Sequence, residues 1–401
     1  MNILHVISSV HKNGGGTSEV VPRLCRAQKE AGHDVTIAVA HQGDVSNAAI
    51  EAFGAGVTYA QFPCLRFLRS LGLSPTFRKG IVSLVQNADV VHLHGLWQAP
   101  CWYAAAECRR QHKPYVMMPH GFLEPERLKI SKWKKRLVGR LVERRNFKYA
   151  AALVATSESE AKGLRQCGLR NPIHIMPIGL DLDPFLPLIE HKQKTLLYFS
   201  RMTPIKGLDM LAEAWACLAR ETCEVKDKGS SYAKATEDRE GERRWKLLLV
   251  GPDDRGYVEE AKRFFAEKCP VGSYEFRGPV FGADKYKLLA SVDAMVLPTR
   301  SENWSIAVAE GMAAGLPVVC TKGAPWPCLR ENWVDISVAG LEAGLRRVLS
   351  RNDSERMAIG IANREWVSKN LRWQDIASQT IDLYKRILSR QPRGRGGAKD
   401  V

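Results

Sequence analysis

Glu302 and Glu310, with seven residues between them, stand in the segment Pro298-Thr-Arg-Ser-Glu-Asn-Trp-Ser-Ile-Ala-Val-Ala-Glu-Gly-Met-Ala-Ala-Gly-Leu-Pro-Val-Val-Cys320. The apolar run that ends at Pro298 reads as a strand, which puts Glu302 in the following loop. A helix is expected to carry Glu310 and to stop at Gly315. Eight residues of helix rise roughly 12 Å. Two carboxylates so spaced cannot serve one atom, but they can bracket an elongated ligand. A nucleotide sugar is such a ligand, with hexose hydroxyls at one end and ribose hydroxyls at the other. The plainer reading is an acid favoured by the helix dipole and a solvated mid-helix Glu.

A second loop, Arg201-Met-Thr-Pro-Ile-Lys206-Gly207, follows another apolar run. Two cations at that spacing on a strand-end loop suit a diphosphate, whose charge they neutralise through charge-assisted hydrogen bonds. Two solvated surface charges are the alternative. A third loop, Asn13-Gly-Gly-Gly-Thr17, lies between the first strand and its helix. Glycines there let backbone N–H groups approach an anion, and a tight turn needs glycine as well. A dinucleotide site would add an acid at the end of the second strand. That strand ends Val39-Ala-His-Gln42, so a nicotinamide nucleotide is not expected.

These loops need elements to hold them. Ile3–Val10, Val35–Ala40, Asp89–His94, Tyr115–Met118 and Ala151–Ala155 read as strands, with helices such as Ser18–Ala31 between them. The rhythm restarts after Pro177. Strands are expected at Thr195–Ser200, Trp245–Gly251, Tyr274–Arg277, Asp293–Pro298 and Pro317–Thr321, a helix at Leu208–Arg220, and three helical stretches at the end, the last Trp373–Leu388. Strands alternating with helices imply parallel sheets covered on both faces. The expected fold is α/β, with two doubly wound Rossmann-like domains facing across a cleft. Their bounds are 1–177 and 178–370, joined through the turn-rich Met176–Phe185. Residues 371–389 form a helix returning to the first domain, and 390–401 a basic disordered tail. Glu221–Arg244 holds seven acids and six bases and reads as a mobile surface insertion.

The chain has 401 residues, 45% of them hydrophobic, which excludes a disordered or fibrous protein. Ten cysteines include no Cys-x-x-Cys pair, which argues against a zinc ribbon or thioredoxin-type site and for reduced thiols in a cytosol. The start of the chain lacks the pattern of a signal peptide, and no apolar run is long enough to span a bilayer. The net charge is +16. Residues 126–148 contribute +8 of it and 385–401 contribute +5. A basic stripe over the whole surface, as a nucleic-acid-binding protein would need, is therefore not expected.

Together the segments carry a resemblance that none carries alone. Glu302-x7-Glu310 followed by Gly-Met-Ala-Ala-Gly-Leu-Pro-Val-Val resembles the donor-site signature of retaining glycosyltransferases of family 4, which have the GT-B fold. Phe199–Asp209 resembles that family's diphosphate loop. Val90–Gly95, Pro119-His-Gly-Phe122 and Met176–Phe185 resemble its acceptor-side and hinge segments. Ser301-Glu-Asn-Trp with Thr321-Lys-Gly-Ala-Pro-Trp326 is similar to a branch that builds lipopolysaccharide core and exopolysaccharide. The resemblance implies that Arg201 and Lys206 stabilise the departing nucleoside diphosphate and that Glu302 contacts the transferred sugar. It implies that Glu310 holds the ribose, that backbone near Asn303, Trp304 and Ser305 meets the sugar, and that backbone near Val280 and Phe281 meets the base. Gly15 and Gly16 would approach the phosphate. His120 would face the reacting sugar or the acceptor, and His94 the acceptor. The family usually has Gly or Phe-Gly where Asn303-Trp304-Ser305 stands. No cofactor and no metal are implied. The donor is a UDP- or GDP-linked sugar, and the acceptor a glycan or lipid-linked glycan. A nucleotide-sugar epimerase on the same fold is the competing reading.

Three further features have two readings each. Asp181-Leu-Asp183 spells a metal motif of another glycosyltransferase fold but falls in the hinge. His92 and His94 share one face of a strand and with His120 could make a three-histidine zinc site, against packing or acceptor contacts. Ile130, Trp133, Leu137 and Leu141 recur at helical spacing within 126–148. They form either a surface helix whose stripe meets the core or a basic amphipathic helix on anionic lipid, placing a cytoplasmic enzyme at the inner face of a membrane.

Overall fold

The computed structural model describes residues 1–10, 16–41, 56–65, 71–123, 138–189, 193–224 and 245–390. In chain order the elements begin β1 (Asn2–Ile7), α1 (Thr17–Glu30), β2 (Asp34–His41), β3 (Thr58–Pro63), α2 (Pro75–Asn87), β4 (Val90–His94), α3 (Ala99–Arg110) and β5 (Tyr115–Met118). A π-helical turn, Gly139–Glu143, leads into α4 (Arg144–Tyr149), then β6 (Ala152–Ala155), α5 (Glu158–Gln166) and β7 (Ile173–Ile175). The second series is β8 (Thr195–Phe199), α6 (Leu208–Glu224), β9 (Lys246–Val250), α7 (Tyr257–Lys268), β10 (Tyr274–Arg277), α8 (Gly282–Ala290) and β11 (Ala294–Leu297). It continues with α9 (Ile306–Ala313), β12 (Val318–Thr321), β13 (Trp333–Val334), α10 (Val338–Leu349), α11 (Asp353–Asn370) and α12 (Trp373–Ser389).

The chain divides into two compact units, Met1–Gly179 with the segment from Leu371, and Leu180–Asn370. The first unit's sheet has the order β3-β2-β1-β4-β5-β6-β7 and the second's β10-β9-β8-β11-β12-β13. The strand pairs in both are parallel. Strand order reverses between β1 and β4 in one sheet and between β8 and β11 in the other. In doubly wound sheets ligands bind beyond the carboxyl ends of the strands at such a reversal. The loops after β8 and β11 carry Arg201, Lys206 and Glu302.

The pleat sorts the first unit's core. Leu4, Val6, Val91 and Leu93 pack with Phe77 and Ile81 of α2 and Ala104 of α3. On the other face Ile3, Ile7, Val90, Val116 and Met118 meet Val21 of α1 and Leu383 and Tyr384 of α12. Burying a side chain of that size contributes about 2 kcal/mol, so α12 belongs energetically to this sheet. Trp373 lies so close to Gly179 that a Cβ there would collide with its indole ring.

Three strands were not expected. β3 is half polar and ends in Pro63 at the sheet's edge, where a missing N–H is tolerated. β7 and β13 are short enough to leave no periodic signal. Helix α6 runs to Glu224, four residues past its expected end at Arg220 and into the segment read as an insertion. The rest of that insertion and the basic tail from 391 onward lie outside the described residues. So do Gly15, Ile130, Trp133 and Leu137. Among the described residues no helix is long and apolar enough to cross a membrane.

Candidate active site

The loop after β8 is built by backbone geometry. Pro204–Lys206 forms a single 3-10 turn, closed by Gly207 at φ 69°. A Cβ at Gly207 would strike the carbonyl oxygen of Pro298, so only glycine lets this loop sit against the end of β11. The two loops are then stitched together. The Arg300 N–H donates to the Ile205 carbonyl at 2.8 Å. The Arg300 guanidinium donates to both oxygens of Asp209, at 2.8 and 2.6 Å, and to the Pro204 carbonyl at 3.0 Å. Burial alone would raise the Asp209 pKa, but this fork overrides it and holds the carboxyl below its usual range. The Thr299 hydroxyl donates to the Ile205 carbonyl at 3.2 Å.

Within this frame the Lys206 ammonium and the Glu302 carboxylate form an ion pair, with side chains only 11% and 19% exposed. The Glu302 N–H is held by the Gly323 carbonyl at 2.7 Å. Arg201 stands exposed at the end of the same loop, its carbonyl accepting from the Tyr198 hydroxyl at 2.9 Å.

Ser305 has φ 70°, and α9 starts only at Ile306. The residues between Glu302 and Glu310 are therefore not one helix, and the 12 Å rise expected for them does not apply. A left-handed serine is strained. What holds it is the preceding residue. Trp304 turns inward against Trp326, ring centroids 4.7 Å apart, and the Trp326 indole N–H donates to the Trp304 carbonyl at 2.5 Å. Asn303 is half-buried beside it. The bulky residue that departs from the family pattern thus packs into the core of its unit.

Glu310 is 7% exposed, so the solvated reading fails. Its carboxylate pairs with the Lys285 ammonium at 2.5 Å. Lys285 lies on α8, directly after Val280 and Phe281, and also sits 4.9 Å from the Tyr286 ring centre. The pair brings Glu310 together with the loop expected to meet the base. Phe281 leaves 70% of its surface exposed there.

In the first unit, Gly16 precedes α1 with ordinary right-handed φ and no side-chain cap. His120 has φ 54° and Gly121 φ 75°, directly after β5. A buried carboxylate fixes this turn. Glu160 of α5 accepts from the Gly121 N–H at 2.6 Å and from the Thr156 N–H and hydroxyl at 2.7 and 2.9 Å. The Ser157 hydroxyl in turn caps the Glu160 N–H at 3.1 Å.

Strand register pairs His5 with His92. His5, His92 and His94 consequently line one face of the sheet, each at most 2% exposed. Their ligand nitrogens lie within 4.8 Å of one another. This corrects the expected zinc trio, since His5 takes the third place. His120 joins the row through His94, its Nε2 lying 3.0 Å from His94 Nδ1. His5 Nδ1 and His94 Nε2 are 2.8 Å apart, with rings stacked at 15°. Two nitrogens on one tetrahedral zinc would stand about 3.3 Å apart at the usual bond lengths. The contact is a hydrogen bond between imidazoles. Asp181 and Asp183 are not among the described groups close enough to share an ion.

Leu141 lies in the π-helical turn and is 69% exposed, so at that position the stripe does not meet the core. Reasoning from sequence did not single out His5, Gln28, Glu160, Asp209, Lys285, Arg300 or Tyr384. Their roles depend on register and on contacts between distant segments, which a linear pattern does not encode.

Two doubly wound sheets, one with a lysine–carboxylate pair at its reversal and a second such pair behind the loop expected to meet a base, fit a two-domain α/β nucleotide-sugar enzyme. The chain matches glycosyltransferase families in two segments that together span most of its length. Residues 14–184 match the family model described as Glycosyltransferase Family 4, and 193–361 the one described as Glycosyl transferases group 1. The GDP-mannose:cellobiosyl-diphosphopolyprenol alpha-mannosyltransferase of Xanthomonas oryzae pv. oryzae is 23% identical over 97% of each chain. A GDP-mannose-dependent phosphatidylinositol monomannoside mannosyltransferase of Mycobacterium tuberculosis is 27% identical over 53% of this chain and 56% of that one. Among solved structures, Anabaena HepE in complex with UDP and glucose matches with a TM-score of 0.71 at 17% identity, over 96% of this chain and all of that one. Sucrose-phosphate synthase from Thermosynechococcus elongatus matches with 0.68 at 17%, over 98% and 100%. The fold is GT-B, and the protein is a glycosyltransferase that uses a nucleotide sugar.

Proposed function

We propose that this enzyme transfers a hexose from a nucleotide diphosphate sugar to a lipid-linked glycan, with retention of configuration and without a metal ion. The Lys206–Glu302 pair at the β8/β11 reversal carries this reading. When the donor binds, Lys206 and Arg201 turn to the diphosphate, and Glu302, released from Lys206, accepts from sugar hydroxyls. The backbone N–H groups around Asn303, Trp304 and Ser305, ahead of α9, meet the sugar. Glu310, held by Lys285, takes the ribose hydroxyls, and Val280 and Phe281 take the base. Gly15 and Gly16 approach the phosphate, and His120 takes a hydroxyl of the sugar or acceptor.

The acceptor oxygen attacks the anomeric carbon on the face from which the diphosphate leaves. The bond from that carbon to the phosphate oxygen breaks, and the leaving phosphate takes the acceptor's proton. The two cations stabilise the charge that develops, the work a metal performs elsewhere. GDP-mannose is the first donor to test, because the Xanthomonas relative matched along nearly its whole length uses it. Thermal melting with GDP-mannose, UDP-glucose and ADP-glucose should raise Tm with one donor only, since a ligand held by the folded state stabilises it by mass action. No shift with any of them would overturn the reading. EDTA should leave turnover unchanged, and activity lost to EDTA and restored by manganese would refute metal independence.

The enzyme works at the cytoplasmic face of a membrane, held by the basic stretch 126–148. The support is that stretch's charge and the exposed Leu141 and Tyr149. Sedimentation with vesicles should rise with their anionic lipid content; binding indifferent to it would sink the idea.

A further inference from the structure

A row of polar side chains crosses the first unit's core. Gln28 Oε1 lies 2.7 Å from His5 Nε2. His5 Nδ1 lies 2.8 Å from His94 Nε2, and His94 Nδ1 lies 3.0 Å from His120 Nε2. Burial holds His5 down to about 4. Burial, and then the neighbouring histidines, hold His94 well below its ordinary value. The inner members of the row are therefore neutral at physiological pH. A neutral imidazole donates from one nitrogen and accepts at the other, and an amide oxygen only accepts.

With Gln28 Oε1 turned to His5, these rules leave one assignment. Gln28 Oε1 accepts, so His5 carries its proton on Nε2 and accepts at Nδ1. His94 must then donate from Nε2 and accept at Nδ1, and His120 must donate from Nε2. His92 stands beside the row. It stacks on His94 at 4.2 Å and is tied through Nδ1 to the Tyr384 hydroxyl of α12 at 2.6 Å.

We propose that Gln28, His5 and His94 are positioning residues that fix His120 in its Nε2–H tautomer, so that His120 Nδ1 is the nitrogen that accepts a hydrogen bond from a substrate hydroxyl. This rests on the role given above to His120. The wrong tautomer of a catalytic histidine disables it even where its position is kept.

The test is long-range 1H–15N correlation of the imidazole rings in the full-length protein labelled with 15N-histidine, each signal assigned by single substitution. His5, His94 and His120 should all show the Nε2–H pattern. Gln28→Leu removes the terminal acceptor and should give His120 a mixture of tautomers. Gln28→Glu, which when ionised offers only acceptor oxygens, should restore one. With GDP-mannose hydrolysis as the readout, Gln28→Leu should lower kcat about ten-fold, the low end of what losing an orienting partner costs, at unchanged KM, and Gln28→Glu should recover it.

An Nδ1–H tautomer at His120 in the wild type overturns the proposal. So does a tautomer indifferent to Gln28→Leu, or tightly bound zinc in the purified protein, which would occupy His5 Nδ1 and His94 Nε2. If Gln28→Leu fails to fold, the wild-type and Gln28→Glu spectra decide. The role of His120 fails separately, if His120→Ala transfers sugar at the wild-type rate while the spectra stand.

Discussion

At the residue scale the argument turns on Lys206. In the proposed reaction its ammonium is the half of the ion pair that moves to a phosphate, and Glu302 is the half that remains for the sugar. Losing one preorganised donor at a site of developing charge costs about 10²- to 10³-fold in kcat. Lys206→Ala should show a loss of that order, with KM for the donor changed far less. Glu302→Gln should lose comparable activity. The double variant should lose much less than the product of the two, because residues that act as a unit are not additive. Steady-state kinetics of the three proteins check this, with thermal melts confirming that each folds. These residues were legible in the sequence because strand-end loops announce themselves by apolar runs and turn formers. Asp209 and Arg300 were not. Their bidentate pairing joins positions 91 residues apart, and each reads alone as a solvated charge.

At the element scale, tight turns are held by single residues whose substitution has a definite cost. Gly207 combines a left-handed φ with a Cβ position already filled by the Pro298 carbonyl. Gly207→Ala should destabilise the second unit by about 3 kcal/mol, a strained backbone plus a steric clash. It should lower activity through the displaced Lys206 loop, measurable as a drop in Tm and in kcat together. Glu160 does the corresponding work in the first unit. Glu160→Ala leaves the Gly121 and Thr156 N–H groups unpaired, at about 1–3 kcal/mol for each buried donor. Denaturant unfolding should record a loss of about 3 kcal/mol, and Glu160→Gln, which keeps one acceptor, a smaller one. Ser157-x-x-Glu160 has the spacing of a capping box, a local signal that the sequence analysis did not use. That the carboxylate reaches across to Gly121 was not, because it requires β5 and β6 to be neighbours. The main strands and helices were legible, and β3, β7 and β13 were not, since edge strands and two- or three-residue strands bury too little to impose a pattern.

At the scale of the whole molecule, the repeated strand rhythm was enough to give two doubly wound sheets, while the price of the fold in titratable groups became visible only in three dimensions. His5, His92 and His94 are enclosed in the first unit, His5 bonded to Gln28 and His92 to the Tyr384 hydroxyl. Burial is the largest cause lowering the pKa of each of the three, with the neighbouring histidines adding to it for His92 and His94. In the unfolded chain these imidazoles titrate near 6.5, and in the folded one His5 titrates at about 4. Between those values the unfolded state binds more protons, so stability rises with pH there. The contribution is complete above about pH 6.5 and is lost as the pH falls toward 4. For His5 alone the shift corresponds to at most about 3 kcal/mol. Thermal melting from pH 8 to 4 should therefore show Tm falling steeply below pH 6.5, and His5→Gln, which keeps a neutral polar group in the row, should make that fall shallower. An acid limb equally steep in the variant would show that the buried histidines do not set it.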